Sequence, residues 1–351
     1  MPPARRAGGI AGDGISFRER KSKMYAVDSP TTPQHGSTGG PDAQGTPGRS
    51  GRNRRGESAR TPWLLSLPTL LLLAGLLAYP LFRMIVLSFQ NMRLRELITG
   101  AAPPWVGLDQ YRSVLTSSAF WSVVWHSVLF TVVSVAVSVV LGMAVALLMR
   151  RVSRGVRLAM VVAMMFVWAL PQLVQAQIFR WMTDSDFGVV NYLIDKIPGV
   201  SFANHSWFVS PTQGWLVITT LVVWAGIPFL AITLNAGLTQ VPKELLEAAT
   251  VDGASAWQAL RGITLPILRP LLIIVTTLSV IWNFGLFTQP WVLRDGKPEP
   301  EFQTLATYAY TQAFGQSRYS LGSAIAVITV LLMLGVMAFY IRQMFKIGEV
   351  D

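Results

Sequence analysis

The sequence predicts an all-α membrane protein with six transmembrane helices. Of its 351 residues, 52% are hydrophobic and 13% are charged, whereas soluble domains carry about 25% charged residues. Six apolar stretches reach about twenty residues or more, the length that a helix needs to cross a bilayer core. The first is too long and too far from the N-terminus to be a cleaved signal peptide, so we expect it to stay as a span. The predicted spans are 63–89, 121–149, 158–181, 215–238, 268–291 and 321–341.

Residues 1–62 differ from the remainder of the chain. Gly, Pro, Ser, Thr and Arg dominate this segment, and it shows almost no periodic apolar residues. Such a composition buries too little surface to offset its chain entropy, so we predict a disordered basic tail. The tail is either a solvated extension or a segment that binds anionic membrane lipids.

The distribution of positive charge predicts the orientation. If both termini and the 241–266 loop face the cytoplasm, cytoplasmic segments hold 20 of the 29 Lys and Arg residues. Membrane proteins concentrate Lys and Arg on the cytoplasmic side. The net charge of +11 therefore indicates orientation in a bacterial cytoplasmic membrane rather than a nucleic-acid partner.

Several classes of function are disfavoured by residue types that the predicted spans lack. None of them contains Asp or Glu, which ion-coupled carriers usually need near the midplane. His126 has no carboxylate beside it in a span, so we interpret it as a packing residue rather than part of a hydrolase. Cysteine is absent, which excludes disulfides and thiolate metal sites. We therefore expect no catalytic residue, metal or cofactor in this chain. It also has no phosphate-binding loop, so any ATP must be bound by another subunit.

The loop between the fourth and fifth spans reads as two short helices. Glu244 and Glu247 lie early in the first one, as the helix dipole favours. Gly253 permits the sharp turn that ends it. Residues 254–263 form the second helix, and we expect Pro266 to break it before the chain re-enters the membrane.

The spacing within this loop resembles the signature of permease subunits in binding-protein-dependent ATP-binding-cassette (ABC) importers. That signature is Glu-Ala-Ala, three residues, Gly, nine residues, Ile, one residue and Leu-Pro. The resemblance implies a type I importer permease fold, in which this loop docks on a separate ATPase subunit that binds ATP and Mg. It assigns the ATPase-coupling role to Glu247, Ala248, Ala249, Gly253, Ile263, Leu265 and Pro266.

Other segments resemble the sugar-permease branch that includes the large maltose-transporter subunit. The segments are Tyr79-Pro80-Leu81, 224–229 and 281–284, and the chain departs from the branch at 294–299, where the family usually has Thr-x-Gly-Gly-Pro. The resemblance implies a second permease subunit, two ATPase subunits and an external solute-binding protein as partners. It also implies that sugar contacts lie at Gly226, Phe229, Asn283, Phe284 and Gly285.

Prolines and uncharged amides concentrate in the third to fifth spans. Gln172 and Gln175 share a helix face, and so would Trp282, Leu286 and Gln289 in an unbroken helix. Amides and aromatic rings together suit a neutral polyhydroxylated ligand. The alternative is that they hold helices together without touching a substrate.

These observations predict the permease subunit of an ATP-driven importer for a mono-, di- or oligosaccharide. One alternative is a permease for another neutral or phosphorylated polyol such as glycerol-phosphate. A phosphate would require a cationic site, and no basic residue lies in the middle of a span. A further alternative is an ATP-independent channel or structural membrane protein, which would purify without an ATPase.

Overall fold

The structure is a computed structural model that describes residues 60–348, with side chains described for 66–343. Almost all of the predicted disordered tail lies outside the described residues. In chain order the helices are α1 (Arg60–Leu73), α2 (Tyr79–Ser88), α3 (Leu94–Thr99), α4 (Asp109–Leu115), α5 (Ser118–Arg151), α6 (Arg154–Ala169), α7 (Gln172–Met182), α8 (Val189–Asp195), α9 (Pro211–Leu238), α10 (Lys243–Val251), α11 (Ala256–Ala259), α12 (Leu265–Phe284), α13 (Thr288–Leu293), α14 (Leu305–Tyr310) and α15 (Tyr319–Gly348).

The described residues contain no β-strand, and an isolated antiparallel bridge joins Gln90 to Trp105. The all-α prediction is confirmed. Short π turns at Ala74–Ala78 and Leu260–Thr264 join α1 to α2 and α11 to α12. A third π turn follows α14, and a 3-10 turn covers Pro300–Phe302.

Within the described chain, five helices are long and apolar enough to cross a membrane. A sixth span exists if α6 and α7 are counted together, although they meet at an angle of 97°. The five are Ser66–Ser88, Ser118–Arg151, Pro211–Leu238, Ala256–Leu293 and Tyr319–Gln343.

The stretch 158–181 is therefore not one straight helix. Leu170 is extended, with ψ of 131°, and Pro171 is the N-cap of α7. A proline disfavours the helical conformation of the residue before it and supplies no N–H to continue the helix. This physical effect bends the third span in its middle.

The expectation that Pro266 breaks the second loop helix is wrong. The chain runs without interruption from α11 through the π turn into α12, and Pro266 lies in the first turn of α12. The π turn absorbs the change in hydrogen-bond pattern that the proline requires. The break in this span comes instead at Gly285, between α12 and α13.

The centre of the bundle is the contact between α5 and α9. Fully buried Ile218, Leu221 and Leu234 form much of this core. Gly142 allows the two helices to approach closely, because a Cβ at this position would lie 2.6 Å from Cβ of Leu230. By contrast, the most apolar window of the first span is entirely unburied, as expected for a helix that faces lipid or another subunit.

Candidate functional site

A cavity of about 480 Å³ lies between α5, α6, α7, α9, α12 and α13. None of the described residues that line it is charged. Its polar side chains are uncharged amides and hydroxyls, and four aromatic rings complete its wall. The polar and aromatic lining residues are Ser138, Gln172, Gln175, Ser279, Asn283, Thr288, Gln289, Trp168, Phe229, Trp282 and Phe287.

Four of the five residues expected to contact a substrate line this cavity: Gly226, Phe229, Asn283 and Gly285. The fifth, Phe284, does not line this cavity. Its side chain is 6% exposed and packs in an apolar cluster with residues of α5, α14 and α15. Successive residues of a helix point about 100° apart, so Asn283 and Phe284 face different sides of α12.

The glutamines singled out in the third and fifth spans also line the cavity. The expectation that Gln289 shares a helix face with Trp282 and Leu286 is wrong, however. Trp282, Leu286 and Gln289 do not share the face of one helix, because the helix ends at Phe284. The turn that follows α12 brings all three to the cavity nevertheless. Gln172 and Gln175 do share one helix, α7, and both line the cavity.

The side chain of Gln175 forms hydrogen bonds with backbone carbonyls at the bend of the third span. Its Nε2 donates hydrogen bonds to the carbonyl oxygens of Val167 and Leu170, at 3.0 and 3.1 Å. Carbonyls at a helix end lack intrahelical partners, and the membrane core supplies no water to replace them. Gln175 is 3% exposed, and its Oε1 accepts no hydrogen bond from any described residue.

A similar arrangement stabilises the break after α12. Thr304 donates from Oγ1 to the carbonyl oxygen of Leu286 at 2.7 Å, and the backbone N–H of Leu305 donates to Oγ of Ser127 at 3.0 Å. These buried bonds tie the interrupted fifth span to α14 and α5. Sequence reasoning missed them, since they join residues far apart in the chain.

Two aromatic rings of the cavity lining come from different helices and contact each other. Phe229 of α9 and Trp282 of α12 pack edge to face, with ring centroids 5.1 Å apart. Trp282 remains half-exposed. Exposed indole and phenyl faces suit the apolar faces of a sugar ring, while the neighbouring amides and hydroxyls suit its hydroxyl groups.

Two ion pairs of the described residues lie beyond the two helix breaks. Arg180 of α7 pairs with Asp295, and Arg294 pairs with Glu299. The Arg294 guanidinium lies 4.9 Å from the ring centroid of Phe208 and 5.1 Å from that of Phe302. The hydrogen bond from Arg294 holds the pKa of the Glu299 carboxyl below its ordinary value. These contacts involve the 294–299 segment that departs from the sugar-permease pattern.

The predicted coupling residues occupy α10, the following turn and the start of α12. Glu247 and Ala248 are exposed on α10, and Ala249 is half-buried. Gly253 has φ of +79°, a conformation that favours glycine. Ser255 and Gln258 form a capping box that starts α11. Ile263 lies in the π turn, so Leu265 and Pro266 follow it directly into the span.

This loop also exposes large apolar side chains. Val251, one turn after the exposed Glu247 on α10, is 87% exposed, and Trp257 on α11 is 65% exposed. Apolar side chains presented in this way at a polar surface are typical of a contact with another protein. The surface formed by Glu247, Ala248, Val251 and Trp257 is called the loop face below.

A bundle of apolar helices around an uncharged cavity, with a charged helical loop at one end, defines a membrane component of a transport system. The chain belongs to the family described as the inner membrane component of binding-protein-dependent transport systems, whose model matches residues 138–346. The predicted family, fold class and membrane location are thereby confirmed.

Several relatives match over most of the chain. It is 39% identical over 308 residues to the diacetylchitobiose uptake system permease protein DasB of Streptomyces coelicolor, covering 88% of this chain and 94% of the relative. It is 31% identical over 286 residues to the trehalose/maltose transport system permease protein MalF of Thermococcus litoralis, covering 81% and 93%.

A solved structure also shares the fold. It is a bacterial ABC transporter involved in the import of the acidic polysaccharide alginate. The TM-score is 0.66 at 20% identity, over 81% of this chain and 95% of that one. At this identity the likeness bears on the fold alone.

Proposed function

We propose that this chain is a sugar-importing permease subunit that forms the path for a mono-, di- or oligosaccharide delivered by an external binding protein. The observation that carries the proposal is the cavity, whose described lining combines uncharged amides and hydroxyls with aromatic rings. Both groups of side chains are those that a neutral polyhydroxylated ligand requires. The names of the diacetylchitobiose and trehalose/maltose relatives support the same substrate class.

The complete transporter, in this proposal, contains a second permease subunit and two ATPase subunits that bind ATP and Mg. The loop face is the docking surface for one ATPase, so that closure of the ATPases moves the spans. Its exposed apolar side chains and exposed carboxylate support this assignment. Both termini and the 241–266 loop are assigned to the cytoplasmic side, supported by the 20 of 29 Lys and Arg residues that this orientation places there.

A phosphorylated polyol such as glycerol-phosphate is a weaker candidate. A phosphate buried away from water needs cationic or multiple N–H partners. The described lining of the cavity offers no Lys or Arg side chain. A neutral sugar therefore fits the cavity better than a phosphate-bearing one.

The test is purification of the intact complex with its binding protein, followed by reconstitution in liposomes. ATPase activity and uptake are measured with maltose, trehalose, diacetylchitobiose, longer oligosaccharides and glycerol-phosphate. We expect a neutral sugar to stimulate both activities. Stimulation by glycerol-phosphate alone would contradict the sugar assignment, and purification of an active channel without an ATPase would contradict the importer.

A further inference from the structure

Gln175 combines two structural features. It occupies the bend of the third span, where it donates to two backbone carbonyls, and it lines the cavity proposed to carry sugar. Gln172, one turn earlier, lines the same cavity, but its side chain makes no hydrogen bond within the described part of the chain. The two glutamines therefore form a natural pair for comparison.

The hydrogen bonds donated by Nε2 of Gln175 fix the orientation of its amide, and therefore the position of the acceptor atom Oε1. A neutral amide has two N–H donors and one carbonyl oxygen. Both donors of Gln175 are occupied, by the carbonyl oxygens of Val167 and Leu170. Turning the amide over would point Oε1 at both oxygens and would leave the Leu170 carbonyl without a donor among the described residues, whereas the Val167 carbonyl also accepts from the N–H of Leu170. The Oε1 atom is thus held as a hydrogen-bond acceptor, and among the described residues it has no donor partner.

A buried acceptor without a partner is costly, and a donor that reaches it is correspondingly favourable. Gln175 lines the cavity, but its Oε1 has less than 1 Å² of accessible surface, so a donor from the cavity must displace a neighbouring group to reach it. Gln289 of α13 has the same property, since it lines the cavity, is 3% exposed and has an unpartnered Oε1. Both acceptors belong to the short helices that follow a break in a span.

We propose that Gln175 accepts a hydrogen bond from an O–H or N–H group of the transported sugar while its own amide holds the bend of the third span. Gln175 is then a positioning and specificity-determining residue, and cargo binding is linked to the geometry of the bend through one side chain. Gln289 supplies a second acceptor for the cargo. The inference rests on the proposed function, because it requires a sugar in the cavity.

The first experiment compares Gln175→Met with Gln172→Met in the reconstituted complex with its binding protein. Uptake of maltose, trehalose and diacetylchitobiose is measured beside monodeoxy analogues that each lack one hydroxyl. In the wild type, the analogue without the critical donor should lose about three- to tenfold in kcat/KM, the usual range for one hydrogen bond. Gln175→Met should be insensitive to that deletion, whereas Gln172→Met should respond like the wild type.

The second experiment measures the bend itself. This chain contains no cysteine, so cysteines introduced at Phe166 and Trp181 would be its only sites for paired spin labels. Both side chains are exposed and lie on opposite sides of the bend. We expect addition of sugar-loaded binding protein to narrow the label distance distribution in the wild type and in Gln172→Met, but not in Gln175→Met.

Distinct outcomes separate the two proposals. If the wild-type complex takes up none of the sugars, the proposed function fails. If it takes up sugars, but Gln175→Met and the wild type lose the same factor for every analogue, the role of Gln175 is refuted and the proposed function stands. If Gln175→Met does not assemble, Gln289→Met tests cargo acceptance alone, since Gln289 holds no break. Unchanged analogue discrimination in Gln289→Met then contradicts the inference.

Discussion

Arg180 on α7 forms an ion pair with Asp295, in the turn that follows α13. α7 and α13 are the two short helices that lie beyond the breaks in the third and fifth spans, and both line the cavity. The ion pair therefore joins the two short helices that follow the breaks in the third and fifth spans, and neither of its side chains lines the cavity. Their relative position depends on a contact between charged side chains as well as on apolar packing.

We expect loss of this ion pair to have a small effect on stability. The two side chains are 39% and 67% exposed, and exposed pairs contribute about 0–1 kcal/mol. Arg180→Gln and Asp295→Asn should each lower the Tm of the complex by at most a few degrees. Asn is the suitable replacement because Asp295 has φ of 53°, which Asn tolerates.

The double variant provides the control for this prediction. Once one partner is neutral, neutralising the other should lower the Tm no further, apart from the small effect of changing how that side chain is solvated. High salt should reduce the difference between the wild type and either single variant. Fully additive Tm losses at all salt concentrations would contradict a direct interaction.

Glu299 predicts a pH dependence of the 294–302 segment. Its folded-state pKa is lowered, chiefly by the hydrogen bond from Arg294. A lowered pKa contributes stability that is present above the ordinary carboxyl pKa and is lost as the pH falls through the folded value. In Tm measurements from pH 7 downwards, the advantage of the wild type over Glu299→Gln should shrink in the acidic range.

Glu301→Gln is the matched control, since Glu301 is exposed and makes no ion pair in the described chain. Its Tm difference from the wild type should show no such trend. A wild-type advantage over Glu299→Gln that stays constant down to the pH at which the complex unfolds would refute the role of the Arg294–Glu299 pair.

Close packing at Gly142 predicts a sterically sensitive position in the second span. An added Cβ would lie 2.6 Å from Cβ of Leu230 and 3.4 Å from the backbone nitrogen of Ala231. α5 and α9 would have to separate, which typically costs about 1–3 kcal/mol. Gly142→Ala should therefore lower the Tm of the complex and reduce its yield. Gly335→Ala is the control, since nothing lies within 4 Å of a Cβ there, and an equal loss in both variants would contradict the prediction.

Hydropathy alone predicted where the apolar helices lie, because the length of a bilayer-crossing helix constrains the sequence strongly. It did not predict the bend at Leu170 or the break at Gly285, since both depend on which partner accepts the freed backbone groups. Gln175 supplies such a partner from five residues away, whereas Thr304 does so from 18 residues away. A single sequence contains no direct signal for the second contact.

The same distinction applies to the candidate site. The coupling role of the loop residues was predicted from a local and dense spacing that resembles a family signature, and it stays a prediction. The cavity glutamines were singled out by type, since polar side chains in a span need a partner or a wet cavity, whereas Gly226, Phe229, Asn283 and Gly285 were named from the resemblance. The burial of Phe284 away from the cavity could not be predicted from the sequence, because the rotation of α12 about its axis is set by packing against α5 and α15.

The loop face provides the last prediction. Glu247→Lys should leave the protein in the membrane but abolish uptake, because it reverses a charge at the proposed ATPase contact without disturbing a buried group. Glu244→Lys, on the same helix and also exposed, is the matched control and should retain uptake. Gly253→Asp should also abolish uptake, since it adds a side chain at φ of +79° and a second negative charge beside Asp252, which would change the angle between the two loop helices. Co-purification of the ATPase with each variant, together with membrane quantity and uptake in liposomes, separates loss of docking from loss of folding. Normal uptake by Glu247→Lys, or equal loss in Glu244→Lys, would contradict a specific coupling role for this face.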